Sequence, residues 1–236
     1  MYNKFKDYVD NYDFSNDMIS RKFYHTFRVV DYAKAIAKSE NLNEHDTNIA
    51  FLCALLHDIG RFEQAKIYNT FNDKKSIDHG DLGYRILLKN NYISEFVNDE
   101  KDKKIILNAV KNHNKYAIDS TLNDRELFFA KLIRDADKLD ILDKQRLEIN
   151  DNINSIDEKA FCFIKEHQLF KRDGSVQNDA TEIVHSLSFV YDLNFDESIN
   201  IIKEKDMVKR KLDVLEQHCN STIVDSLRNE LNNFIN

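Results

Sequence analysis

Residues 18–39, MISRKFYHTFRVVDYAKAIAKS, place His25, Val29, Tyr32 and Ile36 at i, i+4, i+7 and i+11. At 3.6 residues per turn those four share one stripe, so the segment predicts a helix that buries the stripe and an imidazole with it. The same pattern recurs outward from this segment. Ala50, Cys53, Ala54 and His57 form a stripe ending in histidine. His79 opens one continued by Leu82, Gly83 and Ile86, and His113 closes one made of Ile106, Ala109 and Val110. Apolar periodicity predicts helices near 2–12, 18–39, 45–58, 78–89, 101–115, 123–143, 157–167, 180–192, 195–205, 206–219 and 221–235, with Asn194 and Ser221 as N-caps. The stretches 60–77 and 168–179 read as loops.

Composition agrees with an all-α fold. The chain of 236 residues has no proline and only four glycines, Gly60, Gly80, Gly83 and Gly174. Average usage would give about 12 and 16. So few turn formers exclude a hairpin-rich sandwich or barrel, and the four glycines spell neither phosphate-cradling glycine motif. No linker separates the C-terminal helices, so a single domain over 1–236 is expected, with a core at about 20–143 and a helical extension at about 150–236. A net charge of −7 disfavours non-specific binding to nucleic acid or to a membrane surface. No run of 18 apolar residues occurs and the start lacks a signal-type apolar run, so a cytoplasmic location is expected. Cys53, Cys162 and Cys219 then read as buried, reduced thiols. The oligomeric state is left open.

Four helices thus each turn a histidine inward near one end. A buried imidazole needs partners for both nitrogens or costs about 1–3 kcal/mol. A metal ion on one nitrogen and an acceptor on the other would satisfy it. His57 is followed by Asp58 in His-Asp-Ile-Gly, where Gly60 is expected to stop the helix and let both side chains reach one ion. In RDADKLD, residues 134–140, Asp135 and Asp137 lie about 100° either side of the apolar Ala136 position, and periodicity does not choose between them. His45, His167, His185 and His218 read as surface or core residues.

The ordered set His25, His57-Asp58 and Asp137, within HTFRVVDYA (25–33), LLHDIGRFEQ (55–64) and IRDADKLD (133–140), resembles the HD superfamily of metal-dependent phosphohydrolases over about residues 20–143. The resemblance implies an all-α bundle in which His25, His57, Asp58 and Asp137 hold a metal ion, and it selects Asp137 over Asp135. His79 and His113 fall where two-metal members place further histidines. Several of those have a His-His doublet where this chain has His113-Asn114, which favours one ion over two. Imidazole and carboxylate ligands suit Mn, Fe, Co, Ni or Zn. The implied reaction is hydrolysis of a phosphate ester, a nucleotide or small phosphorylated metabolite. Asp58 would orient the attack, and Arg28, Arg61 and Lys138 are candidates to clamp phosphate. A nucleotide-sensing module without turnover and a di-iron oxygenase are the alternatives. Tyr68, Tyr116 and Phe170 could stack on a base.

Overall fold

The computed structural model describes residues 1–143, 156–171 and 178–235, and among these there is no strand. The helices are α1 (Tyr2–Val9), α2 (Asp17–Ser39), α3 (Glu44–Leu56), α4 (Ile59–Tyr68), α5 (His79–Leu88), α6 (Glu100–Asn112), α7 (Asp124–Asp143), α8 (Glu158–Lys165), α9 (Asp179–Leu187), α10 (Asp196–Glu204), α11 (Met207–His218) and α12 (Ser221–Ile235). The all-α expectation holds, and most helix positions match the periodicity.

Short polar side chains set the starts. Asn16 accepts from Met18 N, Asn43 from Asp46 N, Asp78 from Asp81 N, and Asp99 from Lys101 N and Asp102 N. Asparagine also does the work that glycine does elsewhere: Asn41, Asn69, Asn90 and Asn91 take φ of 53°, 48°, 54° and 56°. Its short side chain tolerates this left-handed region better than most. Two caps fall elsewhere than expected. Phe195, not Asn194, precedes α10, and Asn220, not Ser221, accepts from Thr222 N at 2.9 Å.

The expected loop over 60–77 is in part helix α4, which buries Ile59, Phe62 and Ala65. Gly60 therefore stops no helix; it lies in the first turn of α4, where α5 crosses closely. A Cβ on Gly60 would stand 2.7 Å from Gly83 N and crowd the His79 carbonyl, so only glycine lets the two backbones meet. The loop reading holds for 69–78, apart from a 3₁₀ turn at Asp73–Lys75. Of 168–179, residues 172–177 lie outside the described residues.

Residues 1–137 and 138–236 form two compact units. In the first, α2 packs on α3 and α4, and α5 on α4 and α6, while α3 also meets α6. Val29, Ala33, Ile36, Leu55, Leu56, Phe62, Ile106, Val110, Phe129 and Leu132 are wholly buried there, each large side chain contributing about 1.5–3 kcal/mol. In the second, α8 packs on α9 and α12, and α11 on α9, α10 and α12, around Ile164, Leu187, Leu215, Leu227 and Leu231. The cysteine expectation holds only for Cys53; Cys162 is exposed and Cys219 half-buried. Phe170 is buried beside Phe163 and His185, while Tyr68 and Tyr116 are exposed.

Candidate metal centre

The whole connection between α3 and α4 is the doublet His57-Asp58. His57 keeps helical dihedrals as the C-cap of α3, and Asp58, at φ −101° and ψ 17°, turns the chain into α4. The Asp58 carboxylate caps no backbone N–H and faces inward, fully buried. Around it stand His25 from mid-α2, His79 from the first position of α5, His113 from the C-cap of α6, and Asp137 from α7.

The two Asp58 oxygens face different partners. Oδ2 lies 3.3 Å from His25 Nε2, 3.4 Å from His57 Nε2 and 2.6 Å from Lys22 Nζ. Oδ1 lies 3.5 Å from both His79 Nε2 and His113 Nε2, and 3.6 Å from Arg61 Nε. Asp137 Oδ1 adds to the first group, 3.1 Å from His25 Nε2 and 3.9 Å from His57 Nε2. Three sets, His25/His57/Asp58, Asp58/His79/His113 and His57/His113/Asp137, each bring their ligand atoms within 4.8 Å of one another. Asp58 thus belongs to one triad through each oxygen.

Tautomers follow from the outer hydrogen bonds. His57 Nδ1–H donates to Ala54 O and His113 Nδ1–H to Val110 O, both at 2.7 Å, because a carbonyl can only accept. His79 Nδ1–H donates to Asp73 Oδ2 at 2.6 Å. In its neutral form each of the three rings therefore aims an Nε2 lone pair into the centre. His79 Nε2 and His113 Nε2 stand 3.0 Å apart, and His57 Nε2 stands 3.2 Å from His25 Nε2. The two lone pairs of His79 and His113 at that separation need a shared proton or a cation. Burial, then the Arg61 charge, pushes His79 down to about 4, so a proton is disfavoured at neutral pH. His57 is lowered by burial as well.

Bond lengths make the same point. Ligands about 2.1 Å from an ion sit about 3.0 Å apart at right angles and about 3.4 Å apart at tetrahedral angles. The 3.0–3.5 Å separations within the two triads that contain Asp58 are edges of such a polyhedron, so these donors fit a divalent cation in spacing and in chemistry. Burial would raise the Asp58 carboxyl, but Lys22 and the surrounding imidazoles carry it well below the usual carboxylate range. Asp137 is likewise held low against burial by His25 and His57. Both are anions ready to ligate.

The remaining candidates are placed as follows. Arg61 Nη1 donates to Gln64 Oε1, Phe71 O and Asp73 Oδ1, while its buried Nε has no hydrogen-bond partner. Arg28 is exposed on α2. Lys138 Nζ pairs with Asp192 at 2.6 Å and lies over the Phe189 ring, which gives its charge a partner outside the ligand cluster. Asp135 is buried but belongs to none of the three triads. Sequence reasoning missed Lys22 and Asp73. Lys22 precedes His25 by three residues, a spacing that shares a helix face and could have flagged it. Asp73 sits in an irregular loop and carried no signal. Arg134 reaches across from α7 to the carbonyls of Asn112 and His113 at 3.2 and 3.4 Å and to that of Lys115, fixing the end of α6 that bears His113.

An all-α bundle whose helices converge histidines on a buried His-Asp doublet defines a class of helical metal-site proteins. A protein-family model described as HD domain matches residues 23–142, just over half of the chain, and the chain belongs to that family. No curated protein and no solved structure matches it. No helix among the described residues is long and apolar enough to cross a membrane.

Proposed function

We propose that this chain is a metal-dependent phosphohydrolase that cleaves a phosphate ester, a nucleotide or small phosphorylated metabolite, with two divalent ions sharing Asp58. The observation that carries the reading is the Asp58 carboxylate with one histidine pair on each oxygen. This revises the expectation of one ion: the Asn114 departure does not remove a ligand from either triad, because His79 and His113 already complete the second. His25, His57, Asp58 and Asp137 would hold one ion, and Asp58, His79 and His113 the other, in Mn, Fe, Co, Ni or Zn chemistry.

Divalent cations supply a polarised phosphoryl oxygen and a water acidic enough to attack near neutral pH. The protein's own groups do the rest. Lys22 and Arg61 flank the Phe71 ring, their charges 5.5 and 5.2 Å from its centroid, and face Asp58. They support binding of an anionic phosphate and offset charge that develops on it. The half-buried Asp137 marks the solvent-facing side, and the buried His57 and His113 exclude water behind. Of the earlier clamp candidates, Arg61 is retained and Lys138 is not.

A panel of phosphomonoesters and diesters, assayed with Mn²⁺ or Co²⁺ added, tests the reading. Hydrolysis should depend on added metal and drop to background in His57→Ala and Asp58→Ala. Unchanged activity in both variants would refute it. Strong thermal stabilisation by a nucleotide without turnover would mark a binding module instead.

A further inference from the structure

His57 and His113 are each aimed by a carbonyl of their own helix, one turn back. His79 cannot use that device. It is the first residue of α5, so no helical carbonyl lies a turn before it, and a side chain must supply the acceptor. Asp73 does so from the 3₁₀ turn, its Oδ2 2.6 Å from His79 Nδ1.

Asp73 is itself fixed from several directions. Its Oδ1 accepts from Arg61 Nη1 at 3.0 Å and from Gln64 Nε2 at 2.8 Å. Gln64 is fully buried, and its Nε2 also lies 2.9 Å from Ser76 Oγ and from Ile77 O, tying the loop to α4. Asn114 Nδ2 stands 3.3 Å from Asp73 Oδ2 and 3.0 Å from Asp78 Oδ2.

We infer that Asp73 is the positioning residue for the second cation position: by gripping His79 Nδ1 it fixes the ring and the tautomer with which His79, His113 and Asp58 take an ion. The inference rests on the two-ion reading above. An acceptor anion on the outer nitrogen also makes the inner one a better donor, and losing such a partner typically costs 10–100-fold in metal affinity. Asn114, at the position where several two-metal HD members carry a second histidine, serves this arrangement by bracing Asp73 and Asp78.

The test is a calorimetric titration of the full chain with Mn²⁺ after chelation and desalting. The wild-type chain should bind two ions. Asp73→Ala should keep the first at near wild-type affinity, which also reports that it is folded, and lose about 10–100-fold on the second. Asp73→Asn, whose amide oxygen still accepts but carries no charge, should fall between them and decides the matter should Asp73→Ala not fold. Combining Asp73→Ala with His79→Ala should cost no more than His79→Ala alone. Two ions bound by both Asp73 variants with wild-type affinities would overturn the inference and leave the two-ion reading standing. A single ion on the wild-type chain would overturn that reading itself, and the inference with it.

Discussion

At Arg134 a single side chain fixes where a candidate metal ligand, His113, stands. Its guanidinium donates to the carbonyls of Asn112, His113, Lys115 and Tyr116, at and just beyond the end of α6. Arg134→Met takes this donor from all four carbonyls, two of which, on Asn112 and His113, belong to buried residues. Urea unfolding should show a loss of about 2–4 kcal/mol, and a change below about 0.5 kcal/mol would contradict this role. Gly60→Ala acts through sterics alone, since its Cβ would stand 2.7 Å from Gly83 N. It should cost about 1–3 kcal/mol by the same measurement, because α4 and α5 must separate to admit it. The inward histidines were legible at this scale because each sits on an apolar stripe, whereas Asp137 was separated from Asp135 only by the family resemblance. Lys22 and Asp73 were not, because what singles them out is a distance across the fold: 2.6 Å to Asp58 and 2.6 Å to His79.

Among the helices, α1 shows how an element outside the cluster steadies it. Tyr8 donates to Ile59 O at 3.2 Å, next to Asp58, and lies 2.7 Å from the Tyr12 hydroxyl, which donates to Glu63 Oε2 at 2.9 Å. Burial, then the neighbouring Tyr12, raises the Tyr8 hydroxyl above its usual value, and burial raises Tyr12 too. A raised group stabilises the fold while it is protonated. That contribution is complete below about pH 10, where the unfolded tyrosine titrates, and is lost as pH rises further. Thermal unfolding between pH 8 and 11 should therefore show stability falling above about pH 10. Tyr8→Phe should flatten that fall at a cost of about 1 kcal/mol at neutral pH. An equal alkaline slope in both proteins would contradict it. Helix α4 shows where the glycine misled: Gly60 read as a stop, although Ile59, Phe62 and Ala65 repeat at a helical interval and are buried. Glycine marks two different things, a chain turning and a chain approached closely, and one sequence does not separate them.

For the molecule as a whole, the all-α architecture was legible because long apolar periodicity and scarce turn formers point the same way. The proposed number of ions was not, since that reading depends on which oxygen of Asp58 each histidine faces. Cation binding to the folded chain alone must raise its stability, by about 2.7 kcal/mol at a hundred times the dissociation constant. The unfolding midpoint should therefore rise with Mn²⁺, return with chelator, and fail to rise in Asp58→Ala. All of this depends on the cluster about Asp58 gripping cations, and anomalous diffraction from crystals equilibrated with Mn²⁺ tests that most directly. The account predicts two peaks about 3.5–4 Å apart on either side of Asp58, one among His25, His57 and Asp137, the other beside His79 and His113. Crystals with no manganese between these side chains, or with manganese bound only elsewhere on the surface, would contradict it.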